Sequence, residues 1–269
     1  MPRLDTRFAL AGLLATAVLV AACATVPITG RKQLSLIPDS QLLSTSFAQY
    51  EQVLDQSRLS DDPEKVALIQ RVGENIAGAV ERYFRQNGME GQLEGYAWEF
   101  HLIADDQINA WAMPGGKVAF YTGILPICED EAGVAVVMGH EVAHAVAGHG
   151  GERMSQGLVT QLGGIALSEA LESKPAQTRE LWMTAFAVGA QYGALLPYSR
   201  LHESEADQMG LIFMAMAGYD PREAPDFWQR MSEAGGQAPP EFLSTHPANE
   251  TRIQNLRDHM DAALEYYDN

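Results

Sequence analysis

The stretch His140-Glu141-Val142-Ala143-His144 stands in a run of small and apolar residues that predicts one buried helix from about Asp130 to Gly148. On a helix, His140 and His144 project from the same face because they are four residues apart. This is the spacing with which two imidazoles bind one tetrahedral Zn²⁺. Glu141 lies between them, where a carboxylate acts as the general base of metal-assisted hydrolysis. The competing interpretation is a buried helix with two incidental histidines, but buried polar side chains without partners are costly.

A catalytic zinc site usually has three protein ligands, so the sequence must supply a third donor. His149 is nearest, but nine residues after His140 on a continuing helix it would point to the opposite side. Glu203 and Glu205 cannot both face one point, because they are two residues apart on a helix. Glu203 has Asp207 on the same face, placed to hydrogen-bond the free nitrogen of a ligating histidine. We therefore predict Glu203 as the ligand, Asp207 as the orienting carboxylate, and Glu205 on the other side or in a separate ion pair.

His246 is a further candidate, in the loop Ser244-Thr245-His246-Pro247 that precedes a C-terminal helix. It could be a fourth ligand, or it could donate a hydrogen bond to the tetrahedral intermediate. A capping or packing histidine is the alternative. Arg252, in the helix that follows, is interpreted as a structural ion-pair partner.

A small antiparallel sheet is predicted beside the motif helix. Residues 98–103 alternate as in a strand, and two further stretches, 109–112 and 117–121, flank the turn Met113-Pro114-Gly115-Gly116. An exposed edge of such a sheet binds an extended peptide as an added strand. Asn109, Gly115 and Gly116 are thus candidate substrate-binding residues, although a purely structural hairpin has the same pattern.

The composition is that of a globular protein, with 46% hydrophobic residues among 269 and a net charge of −17. This charge disfavours nucleic-acid binding.

Residues 181–197 form an uncharged run that is too short and too often interrupted by polar residues and glycines for a membrane span. We predict a buried helix or a flap beside the site there, with contact to a membrane surface as the less favoured option.

The N-terminus reads as an export signal. Arg3 and Arg7 precede the uncharged residues 8–22, which end in Val20-Ala21-Ala22-Cys23, similar to a bacterial lipobox. We predict a signal peptide at 1–22, a lipidated Cys23 with a tether to residue 38, and one metalloprotease domain at 39–269. Ordinary cleavage near Ala22, or a disulfide from Cys23 to Cys128, is the alternative. Ala24 favours the periplasmic face of the outer membrane, by similarity to Gram-negative lipoproteins.

Taken together, these motifs resemble the gluzincin metallopeptidases, the family of HtpX and the CAAX-prenyl endopeptidases. The matching pieces are Asn109 with Pro114-Gly115-Gly116, residues 140–144, residues 203–207, and residues 244–247 followed by Arg252-Ile253. The sequence lacks convincing transmembrane helices between the motif and the third ligand, so it resembles the periplasmic lipoprotein branch of BepA and LoiP. The mitochondrial inner-membrane quality-control metalloprotease is similar too.

The resemblance implies a mostly helical, zincin-like α+β fold with one Zn²⁺ per chain. It implies His140, His144 and Glu203 as ligands, Glu141 as the base, and hydrolysis of peptide bonds in misfolded or misassembled envelope proteins. The alternative is a zinc-binding lipoprotein that acts as a chaperone or an outer-membrane assembly factor. The intact Glu141 favours the enzyme, because a structural zinc site has no use for a base. Since both histidines must be neutral to bind metal, activity is expected to be lost at acid pH.

Overall fold

The structure, a computed structural model, describes residues 23–234, 240–248 and 250–267. The predicted signal peptide and the side chain of Cys23 lie outside this part of the chain. Eleven α-helices and five strands are described, which confirms the predicted, mostly helical α+β class. The helices are α1 Asp39–Gln56, α2 Pro63–Gln86, α3 Leu125–Cys128, α4 Glu131–Val146, α5 His149–Ala170, α6 Ala176–Ala190, α7 Leu196–Met216, α8 Glu223–Glu233, α9 Glu241–Thr245, α10 Glu250–Asp258 and α11 Met260–Tyr267. The strands are β1 Cys23–Thr25, β2 Lys32–Leu34, β3 Glu99–Ile103, β4 Ala110–Met113 and β5 Lys117–Tyr121.

Helix α4 is the centre of the fold, and residues 133–146 are all buried. Asp130 caps its N-terminus, since its carboxylate accepts a hydrogen bond of 3.0 Å from the Gly133 N–H. Helix α7 crosses α4 where Gly139 meets Gly210, and a Cβ on Gly139 would lie 2.9 Å from the carbonyl oxygen of Gly210. The two glycines therefore allow a close crossing, which brings α7 against the face of α4 that carries the two histidines.

A three-stranded sheet with the order β3-β5-β4 packs beside α4. Strands β4 and β5 form the predicted antiparallel hairpin, with Ala112 opposite Val118. Strand β3 joins β5 in parallel, so the sheet is mixed. Strand β4 is left at the edge of the sheet.

Residues 23–38, predicted as a tether, are folded onto the rest of the molecule. Strands β1 and β2 pair antiparallel, with Cys23 opposite Leu34. Val26 is 1% exposed and belongs to the hydrophobic core. The Leu36 N–H donates a hydrogen bond of 3.0 Å to the Ser155 hydroxyl of α5. Strands β1 and β2 are too short to show a periodic pattern in the sequence, and partners distant in the chain hold this segment in place.

The prediction of a buried helix at residues 181–197 is wrong. This segment forms most of α6, a π-helical turn at Gln191–Leu195 and the start of α7, and α6 has no buried residue. Helices α5 and α6 form a hairpin with many large apolar side chains in solvent, among them Leu162, Leu181 and Trp182. In the described part of the chain, no helix is both long and apolar enough to span a membrane.

Candidate metal centre

Four side chains from three separate parts of the chain converge beside the α4–α7 crossing. They are His140, His144, Glu203 and His246, and one donor atom of each lies within 4.8 Å of the others. Nε2 of His140 and Nε2 of His144 are 3.1 Å apart. The Glu203 carboxylate lies across both, with Oε2 and Oε1 each 3.3 Å from one of these nitrogens. Of the two glutamates considered, Glu203 is thus the one that faces the histidine pair.

The spacing and the chemistry of this donor set fit a zinc ion. Nδ1 of His140 lies 3.0 Å from Oδ1 of Asp207, so in the neutral ring the Nδ1 proton points to Asp207 and Nε2 carries the lone pair. With both histidines neutral, two lone-pair nitrogens and a carboxylate at 3.1 to 3.3 Å repel one another, and a metal cation or a proton between them relieves the repulsion. With zinc–nitrogen bonds of about 2.0–2.1 Å, neighbouring donors of a tetrahedral site are about 3.3–3.4 Å apart.

The sequence predicts that His149 points to the opposite side of the helix. In the structure it instead lies directly behind the site, next to His144. Its Nδ1 is 2.8 Å from Nδ1 of His144, and its Nε2 is 3.3 Å from Oε2 of Glu205. The error comes from extending α4 past its end. Gly148 has a φ of 73°, which breaks the helix and turns the chain so that His149 returns to His144. A glycine directly before the histidine is the one local signal for this turn.

Glu141 is the candidate base, and it is 3% exposed. Burial raises the pKa of its carboxyl group, although His246, His140 and the nearby backbone of Ala112 in β4 oppose the shift. Oε1 of Glu141 is buried and has no hydrogen-bond partner. A buried carboxylate oxygen left free beside a metal donor set is placed to accept a proton from water.

His246 joins the donor set from the segment between α9 and α10. Its Nδ1 is 2.9 Å from Oε2 of Glu203 and 3.1 Å from Nε2 of His140. Its other nitrogen, Nε2, is 3.5 Å from Oε1 of Glu141. The ring therefore touches both the donors and the candidate base, which is compatible with either role considered for it.

Arg252 holds Asp207 in place. Its guanidinium donates hydrogen bonds of 2.7 and 2.8 Å to the two carboxylate oxygens of Asp207, and it also lies 3.3 Å from Glu203. The guanidinium carbon is 3.3 Å from the centre of the Trp228 ring. Burial raises the pKa of Asp207, but Arg252 and His140 outweigh burial and keep it below its usual value. The structure thus shows Arg252 as an ion-pair partner, as predicted.

These charges determine how the site exchanges protons for metal. Burial and Arg252 lower the pKa of His140, but Asp207 and Glu203 outweigh them and raise it to about 9. Burial likewise opposes the ionised form of Glu203, while the three neighbouring histidines hold its pKa well below the usual range. A cation that binds Nε2 of His140 displaces a proton, so metal affinity falls as the pH falls.

The predicted substrate-binding residues lie along the hairpin. Asn109 precedes β4, and its side chain accepts a hydrogen bond of 3.0 Å from the Ala110 N–H. Gly115 and Gly116 have φ values of 89° and 83° and form the tight turn. A Cβ at either position would come within 2.4 Å of an aromatic ring, that of Phe47 for Gly115 or of Trp98 for Gly116. These contacts give the two glycines a structural role in the turn.

The fold and the site are those of a metallopeptidase, with His140, His144, Glu203 and His246 as the side chains that could hold a metal ion. The chain belongs to Peptidase family M48, whose family model matches residues 69–260. This confirms the resemblance found in the sequence.

Three curated relatives of this chain are also named as proteases. The chain is 37% identical over 163 residues to the mitochondrial metalloendopeptidase OMA1 of Schizosaccharomyces pombe, covering 60% of this chain and 46% of that protein. It is 33% identical over 238 residues to human mitochondrial metalloendopeptidase OMA1, covering 86% and 44%. It is 29% identical over 170 residues to the beta-barrel assembly-enhancing protease of Escherichia coli K12, covering 60% and 34%. The chain thus spans less than half of each of these three relatives.

Proposed function

We propose that this chain is a zinc-dependent endopeptidase. The observation that carries the proposal is the buried carboxylate oxygen of Glu141, which has no hydrogen-bond partner and lies 3.5 Å from Nε2 of His246 beside the donors of His140, His144 and Glu203. A structural metal site needs the donors but not the base. The family supports the same conclusion, since its members among the curated relatives are metalloendopeptidases.

His140, His144 and Glu203 are proposed to hold the ion. When bound there, zinc acts as a Lewis acid on the scissile carbonyl and lowers the pKa of a bound water. Glu141 takes the proton of the attacking water and passes it to the leaving amine. Its raised pKa helps it to retain the proton between these two events. Asp207 keeps the His140 ring in the orientation and the tautomer that present Nε2 to the metal.

We propose that the polypeptide substrate binds along β4. This strand is at the edge of the sheet, and it lies close enough to Glu141 for the backbone of Ala112 to lower the pKa of that carboxyl group. An extended segment added beside β4 therefore runs past the base. Asn109, at the start of the strand, is proposed to contact the substrate, whereas Gly115 and Gly116 contribute by forming the turn that holds the edge in place.

The direct test is cleavage of an unfolded protein. The purified, zinc-loaded chain is expected to cut casein into internal fragments, to stop when a chelator removes the metal, and to resume when zinc is restored. Fragment masses from mass spectrometry distinguish an endopeptidase from an enzyme that trims single residues. Intact casein after prolonged incubation with fully zinc-loaded chain would favour the alternative, a zinc-binding chaperone or assembly factor.

His246 is proposed to occupy the fourth donor position in the resting state, because its Nδ1 already lies among the other donors. His246→Ala is then expected to raise basal casein cleavage several-fold and to change the absorption spectrum of the Co²⁺-substituted chain, since water replaces a nitrogen ligand. A lowered rate with an unchanged spectrum would instead assign it the other role, hydrogen bonding to the tetrahedral intermediate. Unchanged rate and spectrum would leave it a packing residue.

We further propose that the natural substrates are misfolded or misassembled proteins of the cell envelope and that the chain is lipid-anchored at Cys23, on the periplasmic face of the outer membrane. The N-terminal sequence supports the anchor, and the name of the Escherichia coli relative supports a link to envelope protein assembly. The exposed apolar surface of α5 and α6, with Leu181 at 68% and Trp182 at 55% exposure, is compatible with a position against a membrane.

Cell fractionation tests the anchor. Cys23→Ala is expected to move the chain from the membrane fraction to the soluble periplasmic fraction, because the lipid would no longer be attached. The matched control is Cys128→Ala, which replaces a free, buried thiol and should leave the distribution unchanged. Membrane association that survives Cys23→Ala would rule out the lipid as the main anchor and point to the α5–α6 surface.

A further inference from the structure

Behind the metal centre lies a second buried cluster that the proposed reaction does not use. Its members are His149 and Glu152 of α5, His202 and Glu205 of α7, and Arg31 of the loop between β1 and β2. Arg31 donates hydrogen bonds of 2.8 Å to Oε2 of Glu205 and of 2.7 and 3.0 Å to the two oxygens of Glu152. The Arg31 guanidinium thus joins the hairpin formed by β1 and β2, here called the N-terminal hairpin, to helices α5 and α7.

The side chains of α7 are divided between the two clusters. Glu203 faces the metal donors, whereas His202 and Glu205, three residues apart, face the second cluster. Nε2 of His202 lies 2.7 Å from Glu152, and its ring stacks on that of His149 with the centroids 4.3 Å apart. These contacts fix the plane of the His149 ring.

The hydrogen-bond pattern connects the second cluster to a metal ligand. His144 can bind a cation through Nε2 only if its proton is on Nδ1. That proton points at Nδ1 of His149, 2.8 Å away, which must then accept. The proton of His149 is therefore on Nε2, which faces Glu205 at 3.3 Å. Oε2 of Glu205 must therefore stay in place to accept it.

Two groups of the N-terminal hairpin hold Glu205 there. Besides the bond from Arg31, the Thr29 hydroxyl donates a hydrogen bond of 2.7 Å to its other oxygen, Oε1. Both carboxylate oxygens of Glu205 are thus bound by residues of the loop between β1 and β2. Glu205 is 4% exposed, so water does not replace these partners easily.

We propose that Arg31 and Glu205 are positioning residues of the metal centre, and that the N-terminal hairpin is a working part of that centre. Neither side chain reaches the metal donors. They act through His149 on the tautomer and the orientation of His144, as outer hydrogen-bond partners do at zinc sites. This inference rests on the proposed zinc centre, but its test measures metal binding and not catalysis.

The experiment compares zinc affinity, measured by competition with a chromogenic chelator, and the visible spectrum of the Co²⁺-substituted chain. Arg31→Ala and Glu205→Gln are each expected to weaken zinc binding by about 10- to 100-fold and to alter the Co²⁺ spectrum. Arg71→Ala is the matched control, because it removes another arginine–carboxylate pair, with Glu131 at 2.7 Å, away from the cluster. Its zinc affinity and spectrum should equal those of the wild type.

Several outcomes would overturn the inference or separate it from the proposed function. Wild-type zinc affinity and spectrum in a folded Arg31→Ala chain would refute the positioning role. If Arg31→Ala does not fold, Thr29→Val removes only one hydrogen bond to Glu205, and it must then weaken zinc binding several-fold for the inference to stand. A wild-type chain that binds no zinc contradicts the proposed function itself. A chain that binds zinc and responds as expected but does not cut casein contradicts only the protease proposal.

Discussion

Glu141→Gln is expected to keep the bound zinc and to lower the rate of casein cleavage by about 10²- to 10⁴-fold, the usual contribution of a positioned general base. Gln matches Glu in size, so it fills the same buried space beside the backbone of Ala112. It cannot take a proton from water at neutral pH. The substitution thus removes the proton transfer and leaves the helix and the donor set unchanged.

Two measurements make this result specific. Zinc content by mass spectrometry should remain at one ion per chain, which shows that the donors are intact. Glu172→Gln, a change of the same kind at an exposed residue, should cut casein at the wild-type rate. Cleavage at the wild-type rate by zinc-loaded Glu141→Gln would show that another group carries the proton, and His246, with Nε2 3.5 Å from Oε1 of Glu141, would be the first candidate.

The sequence predicts those parts of the site that depend on helical periodicity. His140 and His144 share a face because they are one turn apart, and Glu203 and Asp207 do so for the same reason. The N-cap signals are equally local: Asp62 accepts hydrogen bonds from two backbone N–H groups at the start of α2, directly before Pro63. Such features need only the geometry of one helix, so the sequence specifies them well.

The second cluster cannot be predicted from helical periodicity, because its contacts join residues that are distant in sequence and that lie on either side of a break in a helix. Arg31 and Glu205 are 174 residues apart, and nothing in the local pattern around Arg31 shows which carboxylate it meets. The predicted position of His149 is wrong because it assumes that the helix continues past Gly148, where the backbone in fact turns. The same limit applies to β3, whose parallel pairing with β5 requires a return of the chain that the alternation of residues 98–103 does not reveal.

Glu203→Ala is expected to have the largest effect on the metal centre. The substitution removes the carboxylate that lies within 3.3 Å of both histidine nitrogens, and with it the negative charge that attracts the cation. Zinc affinity should therefore fall by more than the about 10- to 100-fold expected for residues that only orient a ligand. After dialysis, zinc content is expected to fall from one ion per chain to near zero, and casein cleavage to background.

Glu205→Gln is the most informative comparison, because the two glutamates lie two residues apart on the same helix, with side-chain exposures of 13% for Glu203 and 5% for Glu205. Only Glu203 faces the donor set, so the two variants should rank in a fixed order: near-complete loss of zinc for Glu203→Ala, and partial loss for Glu205→Gln. The reverse order, or one zinc ion per chain retained in Glu203→Ala, would mean that the third ligand has been misassigned. His246, 3.1 Å from Nε2 of His140, would then have to supply it.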